Sequence, residues 1–283
     1  MENKMSQGLG PLEARALAYC QSRERPAVAA GDLVRALLWT PEQERKVLSQ
    51  LARKGLIARV RRGLYLAPSR LPVGGRWNPG EALALTTLIE DRGGAYQISG
   101  PNTFQRYGWT EQVPNRVYAY NNRISGDRQI GPVSLTLIKV SEDRLGGTEV
   151  VRTPDGLDMV YASKARSLVD AVYDWSRFDT LPRAYDWIET EVTREDGFAA
   201  ELVQVTIRYG NQGTLRRIGA TLERLDVQEP LLRRIERALR SSLSFIPMVP
   251  TAKKRGKPGK EKTSKRWGVV FNDEGRDNLG GVS

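Results

Sequence analysis

The chain has 283 residues, with 44 Lys and Arg against 33 Asp and Glu, a net charge of +11, one cysteine and no histidine. That length can hold two domains and a substantial core. Cys20, being alone, forbids an internal disulfide, no apolar run is long enough to span a bilayer, and Met1 to Pro11 has no apolar stretch that could act as a secretion signal, so a cytoplasmic protein is expected. The lack of histidine removes the commonest general base, the usual zinc ligand and every Ser-His or Cys-His arrangement. No catalytic residue, metal or cofactor is expected.

The charge is unevenly spread. Residues 1–68 hold 12 Lys and Arg against 6 Asp and Glu, residues 69–250 hold 23 of each, and residues 251–266 hold 8 against 1. A basic head, a neutral body and a basic tail are the pattern of a nucleic-acid footprint attached to a part with another task.

Pro11 to Arg23 predicts a first helix, with Leu12, Ala16 and Leu17 available for packing. Residues 29–67 then read as helix, turn, helix and a short hairpin. Thr40 can cap the second of these helices, Pro41 suits its first position, Gln43 completes a capping box, and Gly55 can end it in a left-handed conformation. On this helix Val47, Leu48 and Leu51 share one face with Glu44 beside them, while Lys46, Ser49, Gln50 and Arg53 lie opposite. Two strands, Leu56 to Val60 and Leu64 to Ala67, follow around an Arg61-Arg62-Gly63 turn. This order is that of a winged helix-turn-helix. Arg45, Lys46, Arg53, Arg59, Arg61 and Arg62 could then neutralise phosphates, with Ser49 on the same face, and Gln43, Gln50 and Arg53 have side chains able to pair with base edges.

Pro68 to Gly75 is rich in turn formers, and residues 69–75 are expected to be a linker after a DNA-binding domain of residues 1–68. Asn78-Pro79 opens a predicted helix that runs through Ile89 and stops at Gly93-Gly94. Strands are expected at Ala95 to Ser99, Arg116 to Tyr120, Val133 to Val140, Thr148 to Arg152 and Leu157 to Val160. Helices follow: one capped by Ser163 from Lys164 to Trp175, one opened by Thr180 that carries Tyr185, Trp187 and Ile188, and three near 198–209, 214–225 and 230–242. Strands followed by a run of helices make an α+β body, residues 76–250. Phe104, Tyr107, Trp109, Tyr118 and Tyr120 suit a half-buried core better than a base-stacking platform, and Trp175 and Trp187 read as packing anchors.

Residues 251–283 read as a basic flexible tail in which Lys253, Lys254, Arg255, Lys257, Lys260, Lys262, Lys265 and Arg266 could grip nucleic acid without sequence preference. Beyond them, Trp267 to Phe271 is apolar enough to dock as a strand. A metal-dependent nuclease would need carboxylates and a lysine, but no acid stands two residues before Lys139, and Asp155-Gly156 reads as a turn.

Three segments in this order, RRGLYLAP at 61–68, AYQISGPNTFQRYGWTEQVPNRVYAY at 95–120 and ASKARSLVDAVYDW at 162–175, resemble the AbiEi-type antitoxins of type IV toxin-antitoxin systems over roughly residues 10–240. The resemblance implies an N-terminal domain that represses its own operon and a C-terminal antitoxin domain that counters a nucleotidyltransferase-like toxin without a stable complex. Operator DNA with an inverted repeat is the implied partner, occupied by a dimer or cooperatively by monomers. The residues alone also admit a DNA-binding regulator whose body senses a ligand or assembles subunits, and a nucleic-acid-processing enzyme.

Overall fold

The computed structural model describes residues 8–23, 25–72, 75–241, 244–250 and 262–272. The fold is α+β. The chain forms two compact units, one of residues Met1–Gln97, Asn115–Leu145 and Val150–Met159, the other of Ile98–Pro114, Gly146–Glu149 and Val160–Ser283.

The first unit begins with α1 (Pro11–Gln21), β1 (Ala27–Ala29), α2 (Asp32–Leu37), α3 (Pro41–Arg53), β2 (Ala58–Arg61) and β3 (Leu64–Leu66). The three strands form an antiparallel sheet in the order β1-β3-β2. β1 has no counterpart among the predicted elements, because three small residues between a proline and a glycine carry too short an alternation to read as a strand. Ala16 and Leu17 of α1, Leu33 of α2 and Val47, Leu48 and Leu51 of α3 meet in one core with Trp39 and Tyr65. Leu12, expected to pack there, is 39% exposed.

The capping box of α3 forms as its sequence predicts: Gln43 N–H donates to Thr40 Oγ1 at 3.2 Å and Thr40 N–H to Gln43 Oε1 at 3.0 Å. Gly55 follows the helix at φ +72°. Glu44 faces inward from the same helix and caps its neighbour, its carboxylate accepting from Gly31 N–H at 2.8 Å and Leu33 N–H at 2.9 Å. These two bonds satisfy amides at the start of α2 and tie α2 to α3. Glu13 Oε2 and Lys54 Nζ, 2.6 Å apart, join the start of α1 to the end of α3.

After Asn78, whose Oδ1 accepts from Gly80 N–H, come α4 (Gly80–Glu90), β4 (Tyr96–Ile98), α5 (Pro101–Arg106), β5 (Val117–Asn121), β6 (Gly126–Ile130), β7 (Val133–Lys139), a 3-10 turn (Glu142–Arg144), β8 (Thr148–Arg152) and β9 (Asp158–Ala162). Their sheet has the order β6-β7-β5-β4-β9-β8; β5 and β7 pair in parallel and β6 and β7 antiparallel. Of these strands, β5, β6 and β7 belong wholly to the first unit.

The chain does not divide into compact units at residues 69–75, where the linker was expected; Val73 and Gly74 lie outside the described residues. The reason is physical contact. α4 and β6 both pack on β2, Trp77 N–H donates to Gly55 O at 2.9 Å, and a Cβ on Gly131 would stand 3.3 Å from Ala58 Cβ and 3.5 Å from Pro79 Cδ.

The second unit is mainly helical: α6 (Lys164–Tyr173), α7 (Trp175–Phe178), α8 (Arg183–Arg194), α9 (Phe198–Tyr209), α10 (Gln212–Arg224) and α11 (Glu229–Ala238). α6 is buried along Ala165–Val172 because α8, α9 and α10 all pack against it. Ser163 caps it as expected, accepting from Arg166 N–H at 3.3 Å. A small sheet of β10 (Ile246–Pro247), β11 (Lys262–Ser264) and β12 (Val269–Phe271) completes the unit, in the order β10-β12-β11.

Residues 262–272 are therefore built into the fold rather than being part of a basic flexible tail. Trp267 is 1% exposed, and its indole N–H donates to Glu223 Oε2 at 2.9 Å. It lies so close over Gly219 of α10 that any Cβ there would collide with the indole ring. The strand expected at Trp267 to Phe271 is present as β12 over its last three residues.

Candidate nucleic-acid interface

On α3 the outward side chains are Gln43, Arg45, Lys46, Ser49 and Arg53, all exposed, with Gln50 half-buried beside them. Capping decides what each can offer. Gln43 Oε1 is committed to the Thr40 amide, which leaves its Nε2 as the outward polar group. Glu44, an acid that would oppose phosphate if it faced outward, is 4% exposed and spent on α2. Lys54 is paired with Glu13. The accessible charge on the helix is thus Arg45, Lys46 and Arg53 against Glu42.

The β2-β3 hairpin carries the other expected contacts. Arg59 and Arg62 are exposed, and Gly63 takes φ +77°, which lets the chain turn within two residues of Arg61. Arg61 is placed differently from a freely projecting wing residue. Its Nε and Nη2 reach Asp91 Oδ2 and Oδ1, both at 2.6 Å, and its Nη1 donates to the Arg62 carbonyl at 2.8 Å. The two-pronged hydrogen bond from Arg61 holds the Asp91 carboxyl below the usual carboxylate range and raises the Arg61 guanidinium in turn. Asp91 follows α4, far from Arg61 in sequence, so no local pattern could have announced the pair.

The expected C-terminal contacts fare unevenly. Lys262 and Lys265 are exposed. Arg266 is not available: its Nη1 lies 3.0 Å from Glu223, and its Nη2 lies 2.8 Å from Glu229 and 3.0 Å from Glu236, so it staples β11-β12 to α10 and α11. Arg266 hydrogen bonds in turn hold Glu229 below its ordinary pKa. Lys253, Lys254, Arg255, Lys257 and Lys260 lie outside the described residues.

The aromatic residues of the middle segment are packed. Phe104 and Tyr120 are buried, Trp109 stacks on Trp187 at 5.6 Å between ring centroids, and its indole N–H donates to Glu191 at 2.9 Å. Tyr107 donates to the Ala162 carbonyl at 2.8 Å.

The second unit holds a buried polar group that sequence patterning did not single out. Arg166 Nε meets Asp170 Oδ1 at 3.0 Å, Arg166 Nη1 donates to Gly146 O at 2.9 Å, Ser99 Oγ donates to Asp170 Oδ2 at 2.9 Å, and the guanidinium lies 4.1 Å from the centroid of Tyr209. Both charged side chains are fully enclosed. The pair ties the Ser99 and Gly146 loops to α6. The i, i+4 spacing within KARSLVD was the one available sign.

The first unit also has an open cleft of about 370 Å³, lined among others by Cys20, Arg23, Arg70, Trp77 and Asp155. Burial pushes the Cys20 thiol up to about 11, which suits a packing role. Among the described residues no group of three or more His, Cys, Asp or Glu side chains is placed to hold a metal ion, and no helix is long and apolar enough to cross a membrane.

No protein-family model and no curated protein matches the sequence. A solved structure, that of the Rv2827c protein from Mycobacterium tuberculosis, is similar in fold, with a TM-score of 0.56 at 12% identity over 94% of this chain and 92% of that one.

Proposed function

We propose that this chain is a DNA-binding transcriptional regulator whose α1 to β3 segment works as a winged helix-turn-helix, and that it serves as the antitoxin and autorepressor of a type IV toxin-antitoxin pair. The observation that carries the DNA reading is the outward face of α3. Gln50, Ser49 and three cations face out while Glu44 is turned in to cap α2. In this reading Gln50 and Arg53 meet base edges in the major groove, and Arg45, Lys46, Arg59 and Arg62 meet phosphates. The antitoxin part rests on the three segments that resemble AbiEi-type antitoxins, RRGLYLAP, AYQISGPNTFQRYGWTEQVPNRVYAY and ASKARSLVDAVYDW.

One set of full-length variants tests both parts. Gln50→Ala with Arg53→Ala relaxes discrimination between the DNA upstream of the gene and unrelated duplex, each lost base contact costing about 1–3 kcal/mol. Arg59→Ala with Arg62→Ala weakens binding to all duplexes and lowers the slope of log affinity against log salt by about 0.9 per contact. Gel shifts across several salt concentrations read both, and two variants that bind like the parent refute the interface. In a growth assay, the Gln50 and Arg53 variant still rescues cells from a neighbouring nucleotidyltransferase-like toxin made from an unrelated promoter. Loss of rescue with full loss of specificity refutes the separation of repression from neutralisation.

A second reading, a regulator that senses a small ligand, is favoured by the open cleft beside Arg70 and Trp77.

A further inference from the structure

The wing does not end at Arg62. Arg61 grips Asp91 through two hydrogen bonds of 2.6 Å, Arg92 Nε stands 3.7 Å from the same carboxylate, and Arg123 Nε and Nη2 both donate to the carbonyl of Gly93, at 2.9 and 2.6 Å. Each of these residues belongs to the first compact unit. Direct contacts thus run from the hairpin tip to the end of α4 and on to the turn after β5. Arg92 and Arg123 are exposed, and Gly94 is tight against Arg123 Cγ, which a Cβ would approach to 2.5 Å. The Gly94 contact fixes the Arg123 stem, and the Gly93 carbonyl holds the guanidinium in place at the surface through Nε and Nη2.

From this chain of contacts we infer a second phosphate-binding site, made by Arg92 and Arg123 next to the Arg61-Asp91 pair, which extends the duplex track from the wing onto the α4 end and the β5-β6 turn. The inference rests on the nucleic-acid reading of α3 and the hairpin. The ligand is duplex DNA backbone, because exposed guanidinium groups beside the hairpin fit phosphates. Asp91 holds Arg61 and attracts Arg92, and its own negative charge moderates the site, so the wing binds duplex less tightly than its arginine count suggests.

The test uses the full chain and a random-sequence duplex, with fluorescence anisotropy read from 50 to 200 mM salt. Arg92→Ala with Arg123→Ala lowers the salt slope by about 1.8, or roughly tenfold less loss of affinity over that salt range. Arg92→Lys with Arg123→Lys restores the slope. Because Arg123 also ties down the Gly93 carbonyl, circular dichroism melts accompany each variant, and Arg92→Ala alone, which breaks no hydrogen bond of the structure, still lowers the slope by about 0.9. Asp91→Asn raises affinity at 50 mM salt at least several-fold. An unchanged slope in Arg92→Ala and in the double variant, alongside the loss caused by Arg59→Ala with Arg62→Ala, overturns the second site and leaves the wing intact. A parent protein with no salt-dependent duplex affinity overturns both.

Discussion

Glu44 shows how one side chain can prepare a surface without belonging to it. A carboxylate in the first turn of α3 is favourable toward the helix N-terminus, yet on an outward face it would repel phosphate. The fold turns it inward, where it accepts from Gly31 and Leu33 N–H at 2.8 and 2.9 Å and fixes the angle at which α2 meets α3. Replacing it by alanine leaves the buried Leu33 N–H and the half-buried Gly31 N–H without their partner, and a buried donor left unmade costs about 1–3 kcal/mol. Glu44→Ala should lower the melting temperature by several degrees and, on the proposed DNA-binding reading, weaken duplex binding without removing a contact from the outward face of α3. Glu44→Gln, which keeps one acceptor, should fall between the two. A melting temperature equal to the parent's would show that the cap does not hold the helix pair together.

Among the elements, long patterned segments were legible and short, edge or remote ones were not. α3 could be read to its caps because Thr40, Pro41, Gln43 and Gly55 are local signals, and α6 could be read from Ser163 and the apolar run behind it. β6 was missed because GDRQI is an exposed edge strand, buried only at Ile130, and so offers no alternation. Arg266 was misread as a tail cation because its three glutamates lie on α10 and α11, contacts no window around residue 266 contains. In the candidate interface the outward residues of α3 followed from helical periodicity, while the Asp91 partner of Arg61 depended on α4 packing beside the hairpin. The β11-β12 element therefore contributes to stability in a way its composition hides. Trp267→Ala removes an almost fully enclosed indole from over Gly219 and leaves Glu223 without its N–H partner. A loss of about 3–5 kcal/mol is expected, measured as a fall in the urea midpoint at unchanged m-value. A midpoint within error of the parent's would mean that β11-β12 rests on the second unit without stabilising it.

At the scale of the whole molecule, the question is where the chain can be cut. Charge and turn formers suggested residues 69–75, but β3 is buried on both faces and β2 on the face of Ala58 and Val60, with Arg59 and Arg61 left outward. Leu56, Ile57 and Tyr65 enter the core of α1 to α3, whereas Ala58, Val60, Leu64 and Leu66 are buried outside that core. α4 and β6 pack on β2, and Gly131 lies against Ala58. A free wing would leave the second set in water. Burial of Val60, Leu64 and Leu66 contributes about 1.5–3 kcal/mol each, a sum comparable to the about 5–15 kcal/mol net stability of a whole domain. A fragment of residues 1–75 should consequently melt well below the full chain, bind an apolar dye through the bared hairpin face and, on the proposed DNA-binding reading, hold duplex DNA more weakly than the intact protein. Ala58→Asp in the full chain should reproduce part of this by placing a carboxylate against Gly131, and Arg59→Ala, on the outward side of the same strand, should not. A 1–75 fragment that melts like the intact protein, binds no dye and keeps full affinity would establish the hairpin as an independent wing. The cover that α4 and β6 give it would then be incidental to the stability of the first unit.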